Sequence, residues 1–468
     1  MSLETITTIS PITNKPILTR TGLSEEDLQS IPEKAARAFE SFRRTTLAER
    51  QGIVKKALQL LAERQDELGK EITEQMGRPI AYTPKEISTA VMRGEYLLKI
   101  SGDALKDTEG EPEKGFQRYI RKVPVGPVLI LFPWNYPYLT LVNSIVPALL
   151  AGNSVILKPS PQTPTSAEQM QRVFIDAGLP EGVIQVFHSG SLTQIETLVR
   201  SPQIQLVCFT GSVANGLAVQ NAASDRVTAR IGLELGGKDP AYVRSDVDVK
   251  WAAEEIVDGA VFNSGQSCCS VERVYVDEKI HDDFVSAMQE VLKGYVLGDP
   301  FDKKTHVGPV VSKRSTETIR AHIKDALDKG AKDATPENES FRSPPADGNY
   351  VAPTLLTNVN HDMIVMTEET FGPVIPVMKV KDDAEAIRLM NDSQFGLTAS
   401  IWTKDVAKGR ELIDDLEAGT VFVNRCDYPA PDLAWVGWKN SGKGQTLSKF
   451  GFDQFVKLKS YHVKNYPQ

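Results

Sequence analysis

The stretch KVPVGPVLILFPWNYPYLTLVNSIVPALLAGNSVILK, residues 122–158, carries no charge between its two flanking lysines. Its length invites comparison with a membrane span, which needs about 20 mostly apolar residues in unbroken helical register. Pro124, Pro127, Pro133, Pro137 and Pro147 interrupt it, as do Asn135, Asn143 and Asn153. It divides instead into an apolar strand, a PWNYP loop, a helix over 137–151 and a second apolar strand. Strands this free of charge are buried on both faces, so the segment marks the deepest part of an α/β core.

Outward from it the same rhythm continues. Strand candidates Val128–Phe132, Ser154–Lys158, Val183–Phe187, Gln205–Phe209 and Thr228–Leu233 alternate with helical stretches near 165–177, 192–200 and 213–223. Such alternation implies parallel βαβ units. A second series follows, with helices near 248–262 and 278–294 and one ending at Gly330. Its strands lie near 271–276, 375–380, 398–403 and 419–423. The first hundred residues read as helical, with a Ser24/Asp27 start signal and further patterns over 46–76 and 84–105. FQRYIRKV at 116–123 and the tail Phe455–Val463 alternate like edge strands, and 334–350 is a polar, Pro-rich surface loop. Two α/β domains with a small strand-built extension, and no internal repeats, account for this order.

Composition narrows the function. The 468 residues are 41% hydrophobic and 24% charged, ordinary globular values. Lys plus Arg is 53 against 61 for Asp plus Glu, a formal charge of −8. That balance argues against nucleic-acid or anionic-membrane partners and leaves room for a small basic pocket. Four cysteines without a CxxC, and six histidines without HExxH, give neither a disulfide framework nor a metal site. The N-terminus lacks a charged-then-apolar signal, so the expected compartment is the reducing cytoplasm.

Four motifs carry possible chemistry. FTGSVANG at 209–216 follows an apolar strand and opens a helix. Its Gly211–Ser212 turn either holds a phosphate on exposed N–H groups or is a plain tight turn. GLELGGKD at 232–239 nearly matches a P-loop, but Asp239 stands where Ser or Thr would bind Mg²⁺. Within it, Glu234 follows an apolar strand, where burial would tune a general base; a hydrogen-bonded structural carboxylate is the plainer alternative. In FNSGQSCCSVERVYV, Cys268 lies between a Gly-containing turn and an apolar strand, where a thiol stays reachable. Cys208 and Cys426 read as small buried hydrophobes. Asn135 in PWNYP is either a loop staple or an oxyanion donor.

Together, and in this order, LFPWN, LKPS, FTGSxxxG, LELGGK, GQSC and EETFGPV resemble the aldehyde dehydrogenase superfamily over essentially the whole chain. The resemblance implies a Rossmann-type cofactor domain (1–105 and 125–236), an α/β catalytic domain (237–445) and a small β oligomerisation extension (106–124 and 446–468). It implies Cys268 as nucleophile, Cys269 as a bystander, Asn135 as oxyanion donor and Glu234 as the base for thioester hydrolysis. NAD or NADP would lie against Trp134, Lys158, Ser160, Gly211, Ser212, Leu235, Glu369 and Phe371. Tyr136, Asn143, Ser267, Tyr428 and Trp435 would line the substrate channel.

Departures from the family pattern shape the details. Pro161 replaces a Glu common in NAD-preferring relatives, which removes a repulsion against a 2′-phosphate and admits NADP. Trp435 replaces a common Phe, and Thr446 a common Glu, which puts a secondary proton path in doubt. Asn143 stands where succinic-semialdehyde enzymes often carry Arg, which weakens a carboxylate substrate, although Arg425 keeps that reading open. Asp427 and Asp432 suit a cationic amino-aldehyde or are surface carboxylates. An aromatic or medium aliphatic aldehyde is the expected substrate, with semialdehydes and amino-aldehydes as alternatives. A cofactor-independent esterase and a non-catalytic binding protein are the competing classes. Segments 116–123 and 456–463 are expected to pair between subunits in a homodimer or homotetramer.

Overall fold

Two largely parallel sheets organise the chain, whose residues 3–466 the computed structural model describes. The first sheet has, in spatial order, Gly442–Lys443, Arg230–Glu234, Leu206–Thr210, Val128–Leu131, Val155–Lys158 and Ile184–Val186. Only Gly442–Lys443 runs antiparallel. Chain order reverses between Val128–Leu131 and Leu206–Thr210, and an α/β sheet opens a crevice at the carboxyl edge of such a switch point. The PWNYP loop leaves the first of these strands and Gly211–Ser212 the second.

The charge-free segment folds as its pattern predicts. Val128–Leu131 and Val155–Lys158 are neighbouring strands, joined by the helix Pro137–Ala151. Proline starts that helix, where its missing N–H has no helical partner, and Gly152 ends it at φ 94°. No described helix is long and apolar enough to cross a membrane.

The second sheet places Lys332–Asp333, Thr354–Thr357, Val374–Val380, Val271–Asp277, Asp239–Val243, Thr398–Trp402 and Thr420–Val423 side by side. The first of these is antiparallel and the others parallel. Asp239–Val243 is a central, fully buried strand that the sequence reading passed over, because Asp-Pro signals a turn. Pro240 is accommodated at a register shift, where a missing ladder donor is tolerated.

Three other expectations need correction. The N-terminal region is not all helix: Thr5–Ile9 and Pro16–Thr21 form an antiparallel hairpin before the helix Glu25–Phe42. That helix begins at the predicted Ser24/Asp27 signal, a reciprocal capping box contributing about 1 kcal/mol. The pattern over 46–76 is two helices, Leu47–Glu63 and Gln65–Met76, broken at Arg64. Finally, Phe116–Pro124 and Val456–Lys464 pair with each other inside one chain, with Thr108–Glu109 on the far side. One edge of Val456–Lys464 stays free and bears exposed Leu458 and Val463.

Candidate active site

The turn before Cys268 is bent by left-handed backbone. Asn263 and Ser264 lie at φ 53° and 58°, followed by Gly265 at 69°. Such a conformation costs a non-glycine residue about 1–3 kcal/mol and must be held from outside. Asn263 is held at both ends: Oδ1 accepts from Arg78 Nε at 2.9 Å, and Nδ2 donates to the Gln266 carbonyl at 3.1 Å. Gly265 is also dictated by contact, because a Cβ there would lie 2.2 Å from the Gly372 carbonyl oxygen. The turn delivers Cys268 half-buried with a free thiol. Cys269 is 3% exposed and donates to Asp427 Oδ1 at 2.9 Å. Its hydrogen bond with Cys268 and its burial push that thiol well above the usual range.

Asn135, at the switch point, meets this turn. It is 5% exposed, and its Nδ2 donates to the Gln266 carbonyl at 3.2 Å. The Asn135 carbonyl accepts from the Arg78 guanidinium and, at 3.4 Å, from Asn263 Nδ2. Arg78 is paired with Glu86 at 2.5 Å, both buried, and Glu86 Oε1 accepts the N–H of Tyr138 at 2.9 Å. One cation therefore fixes both elements that carry Asn135 and Cys268. Arg78 and Glu86 were missed from sequence because nothing marks this local pair, eight residues apart, as buried beneath two remote loops.

The segment ELGGK works through close approach. A Cβ on Gly236 would lie 2.3 Å from the Glu369 carboxylate, and one on Gly237 2.7 Å from the Cys268 carbonyl oxygen. Glycine is the residue that lets both groups in. Lys238 reaches Glu272 at 2.6 Å and Thr370 Oγ1 at 3.1 Å. Glu272 in turn accepts the N–H groups of Thr370 and Phe371 at 2.8 Å each. Lys238 thus anchors the Glu369–Phe371 loop, unlike a P-loop lysine, and Asp239 accepts from Thr398 Oγ1 at 2.6 Å. Glu234 ends its strand with Oε1 accepting from the Thr446 hydroxyl and Oε2 from Thr210 at 3.3 Å. Burial raises its pKa, while those hydroxyls and the charge of Arg93 oppose the rise.

Of the residues expected to hold a cofactor, Trp134, Lys158, Ser160, Gly211, Ser212 and Leu235 lie at the carboxyl ends of first-sheet strands, while Glu369 and Phe371 precede a strand of the second. Lys158 ends its strand half-buried; burial lowers its pKa to about 8, with the charge of Glu4 opposing. Ser160 accepts the Gln162 N–H at 3.2 Å. Ser212 caps the helix Val213–Ala222, and a Cβ on Gly211 would lie 2.8 Å from the Phe209 ring. Leu235 is 5% exposed and packs on Gly216, where a Cβ would lie 2.6 Å away. At the other end, burial and nearby Glu272 push Glu369 up to about 8. Trp134 and Phe371 meet edge to face at 5.7 Å. A half-buried ammonium without an ion-pair partner among the described residues, a helix N-terminus and a carboxylate beside two rings suit an elongated anion with hydroxyls at its far end.

The residues expected to line a substrate channel also converge. Tyr136 stacks over the Arg78 guanidinium at 4.2 Å, and Ser267 Oγ donates to Asp427 Oδ1 at 2.9 Å. Trp435 pairs with Thr446 and packs with Cys269, Leu397 and Leu447 against Cys268. The Arg425 guanidinium lies 3.6 Å over the Tyr428 ring. Asn143 Oδ1 accepts from Arg93 at 3.0 Å, a buried cation without any sequence signal. Asp432 is exposed, but Asp427 is no surface carboxylate: it engages Ser267 and Cys269, and burial raises its pKa to about 6.

A family model described as "Aldehyde dehydrogenase family" matches residues 1–461. The NADP(+) succinate-semialdehyde dehydrogenase of Deinococcus radiodurans is 32% identical over 452 residues, covering 97% of this chain and 93% of that protein. The phenylacetaldehyde dehydrogenase of Pseudomonas fluorescens is 32% identical over 466 residues, covering 98% and 92%. The crystal structure of an NAD-dependent aldehyde dehydrogenase from Sinorhizobium meliloti superposes with a TM-score of 0.93 at 30% identity, covering 99% and 92%.

Proposed function

Because the chain belongs to the aldehyde dehydrogenase family, we propose that it oxidises an aldehyde to a carboxylic acid with NAD or NADP through covalent attachment to Cys268. The observation that carries this is the convergence of Asn135 and the Cys268 turn through Arg78 and Asn263. The Cys268 thiolate attacks the carbonyl carbon, a C–S bond forms and the carbonyl electron pair moves to oxygen. The Asn135 side-chain amide and the Cys268 N–H stabilise that oxygen. A nicotinamide held beside it would supply the hydride acceptor that oxidation of this adduct to a Cys268 thioester requires. Glu234 takes a proton from water, the water oxygen attacks the thioester carbon, and the C–S bond breaks to release acid and thiolate.

Lys158, Ser160 and the Gly211–Ser212 turn would hold the adenosine and phosphate half. Glu369, Phe371, Trp134 and Leu235 would hold the nicotinamide half. Pro161 leaves Lys158 free to pair with a 2′-phosphate, so both dinucleotides are admitted. The first sheet would serve the cofactor and the second the catalytic turn, the division expected from sequence. The free edge of Val456–Lys464 would extend a sheet between copies of a homo-oligomer.

The test is absorbance of reduced nicotinamide, with NAD and NADP supplied separately over a panel of aldehydes. Reduction with at least one aldehyde is expected. Ester cleavage without any reduction would replace the dehydrogenase by the esterase reading, and inertness toward both by a binding role.

Thr446 gives a pH prediction. Its hydroxyl stabilises ionised Glu234, so Thr446→Val raises the Glu234 pKa further. The base works only when deprotonated, so the rate rises with pH through that pKa. The acidic limb of thioester hydrolysis should move to higher pH by about one unit. Single-turnover acid release across pH measures it, and an unmoved limb would remove Thr446 from the tuning of this base.

A further inference from the structure

Arg93, on the helix Thr83–Ala104, is 4% exposed. A guanidinium carries five N–H donors. Here Nη1 donates to Asn143 Oδ1 at 3.0 Å and Nη2 to the Pro429 carbonyl at 3.2 Å, while the buried Nε has no partner among the described residues. Three other deeply buried cations are matched. Arg78 has Glu86, Lys238 has Glu272, and Arg273 donates to three carbonyls and the Tyr275 hydroxyl. An ion buried without a counter-ion is costly to keep, and an unsatisfied donor beside it asks for an acceptor.

Arg93 lies beside the proposed catalytic and channel residues. Burial is the largest influence on it, and the charge of Glu234 is the largest that offsets it. Pro429 follows Asp427 by two residues, and Asp427 holds both Ser267 and Cys269. Asn143 lies on the helix that continues from the Asn135 loop. Neither nearby carboxylate hydrogen-bonds to Arg93, although the charge of Glu234 reaches it. Both oxygens of Glu234 accept from threonines, and Arg78 is the cation that acts on Asp427.

Resting on the dehydrogenase reading above, we propose that Arg93, supported by Asn143, binds a carboxylate at the far end of the substrate, so that this enzyme takes a short ω-carboxy-aldehyde. Nε and a neighbouring Nη of a guanidinium match the two oxygens of a carboxylate. Asn143 Oδ1 is already committed to Arg93, which leaves its Nδ2 to donate to the same anion. This answers the objection raised by Asn143 in the sequence. The cation comes from another helix, and Asn143 becomes its support. A cationic amino-aldehyde would be repelled here, and a phosphate dianion would be only half neutralised by a single guanidinium.

The test compares 4-oxobutanoate, butanal, 4-aminobutanal and glyceraldehyde 3-phosphate by reduced-nicotinamide absorbance in wild type, Arg93→Lys and Arg93→Met. In wild type, kcat/KM for 4-oxobutanoate should exceed that for butanal by roughly 100-fold. Arg93→Met should collapse most of that ratio, chiefly through KM, and Arg93→Lys should keep an intermediate ratio. Preference for butanal, 4-aminobutanal or the phosphate, or an unchanged ratio in folded Arg93→Met, overturns the proposal. Should Arg93→Met not fold, titration of Cys268→Ala protein with succinate and butyrate decides. Succinate binding at least about tenfold tighter supports it, and equal binding overturns it. That titration needs no turnover, so silence with every aldehyde would overturn the dehydrogenase reading separately.

Discussion

Cys268→Ala is expected to abolish nicotinamide reduction with every aldehyde, a loss of roughly four to six orders of magnitude in kcat, the scale seen when a nucleophile is removed. The neighbouring Cys269 will not take over. It is 3% exposed, its proton is held in a hydrogen bond to Asp427, and its pKa is pushed well above that of a free thiol. A thiol in that state offers almost no thiolate near neutrality. Cys268 packs at the margin of a small apolar cluster with Trp435 and Leu447, so the alanine variant should fold at a cost of about 1 kcal/mol. Absorbance of reduced nicotinamide and a thermal melt measure both halves of the statement. Residual activity within about tenfold of wild type in a folded variant would place the nucleophile elsewhere.

What was legible in the sequence followed its physical periodicity. Alternating apolar strands and capped helices announced the parallel α/β architecture, because buried parallel strands need continuous apolar runs and helices need start and stop residues. Cys268, Glu234 and Asn135 were visible as a set because short motifs keep their order. Hidden were the residues acting across long sequence distances. Arg78 touches Asn135 and Asn263, Arg93 touches Asn143 and Pro429, and Asp427 touches Ser267 and Cys269. A charged residue on a helix or in a loop reads as solvated until its burial is known, and burial is a property of the fold. The same limit explains the edge strands. Alternation in Phe116–Pro124 and Val456–Lys464 announces pairing but does not say with which partner.

These hidden residues change how the site is understood. Asn135 and Cys268 come from separate loops, and oxyanion stabilisation requires their donors to be held to within fractions of an ångström. The left-handed turn at Asn263 and Ser264 would relax if nothing held it. Arg78 touches both sides of that junction and is anchored by Glu86, whose other oxygen accepts the N–H of Tyr138 on the helix after Asn135. Catalytic geometry and local stability thus pass through one guanidinium.

Arg78→Ala should therefore destabilise the protein by about 3–5 kcal/mol, because it leaves Glu86 buried without its counter-ion. A variant that loses both charges separates stability from positioning. In Arg78→Met/Glu86→Met the buried charge is gone and apolar side chains occupy similar volume, so most of the stability should return. The Asn135 carbonyl and Asn263 Oδ1 would still lack their shared donor, so kcat should remain roughly 100-fold below wild type. Arg78→Lys keeps a charge for Glu86 but brings a compact ammonium in place of a planar fork. It should recover stability more fully than kcat. Urea midpoints set against kcat for the three variants test this. Wild-type turnover in the double variant would reduce Arg78 to a structural residue, because the Asn135–Cys268 junction would then hold without it.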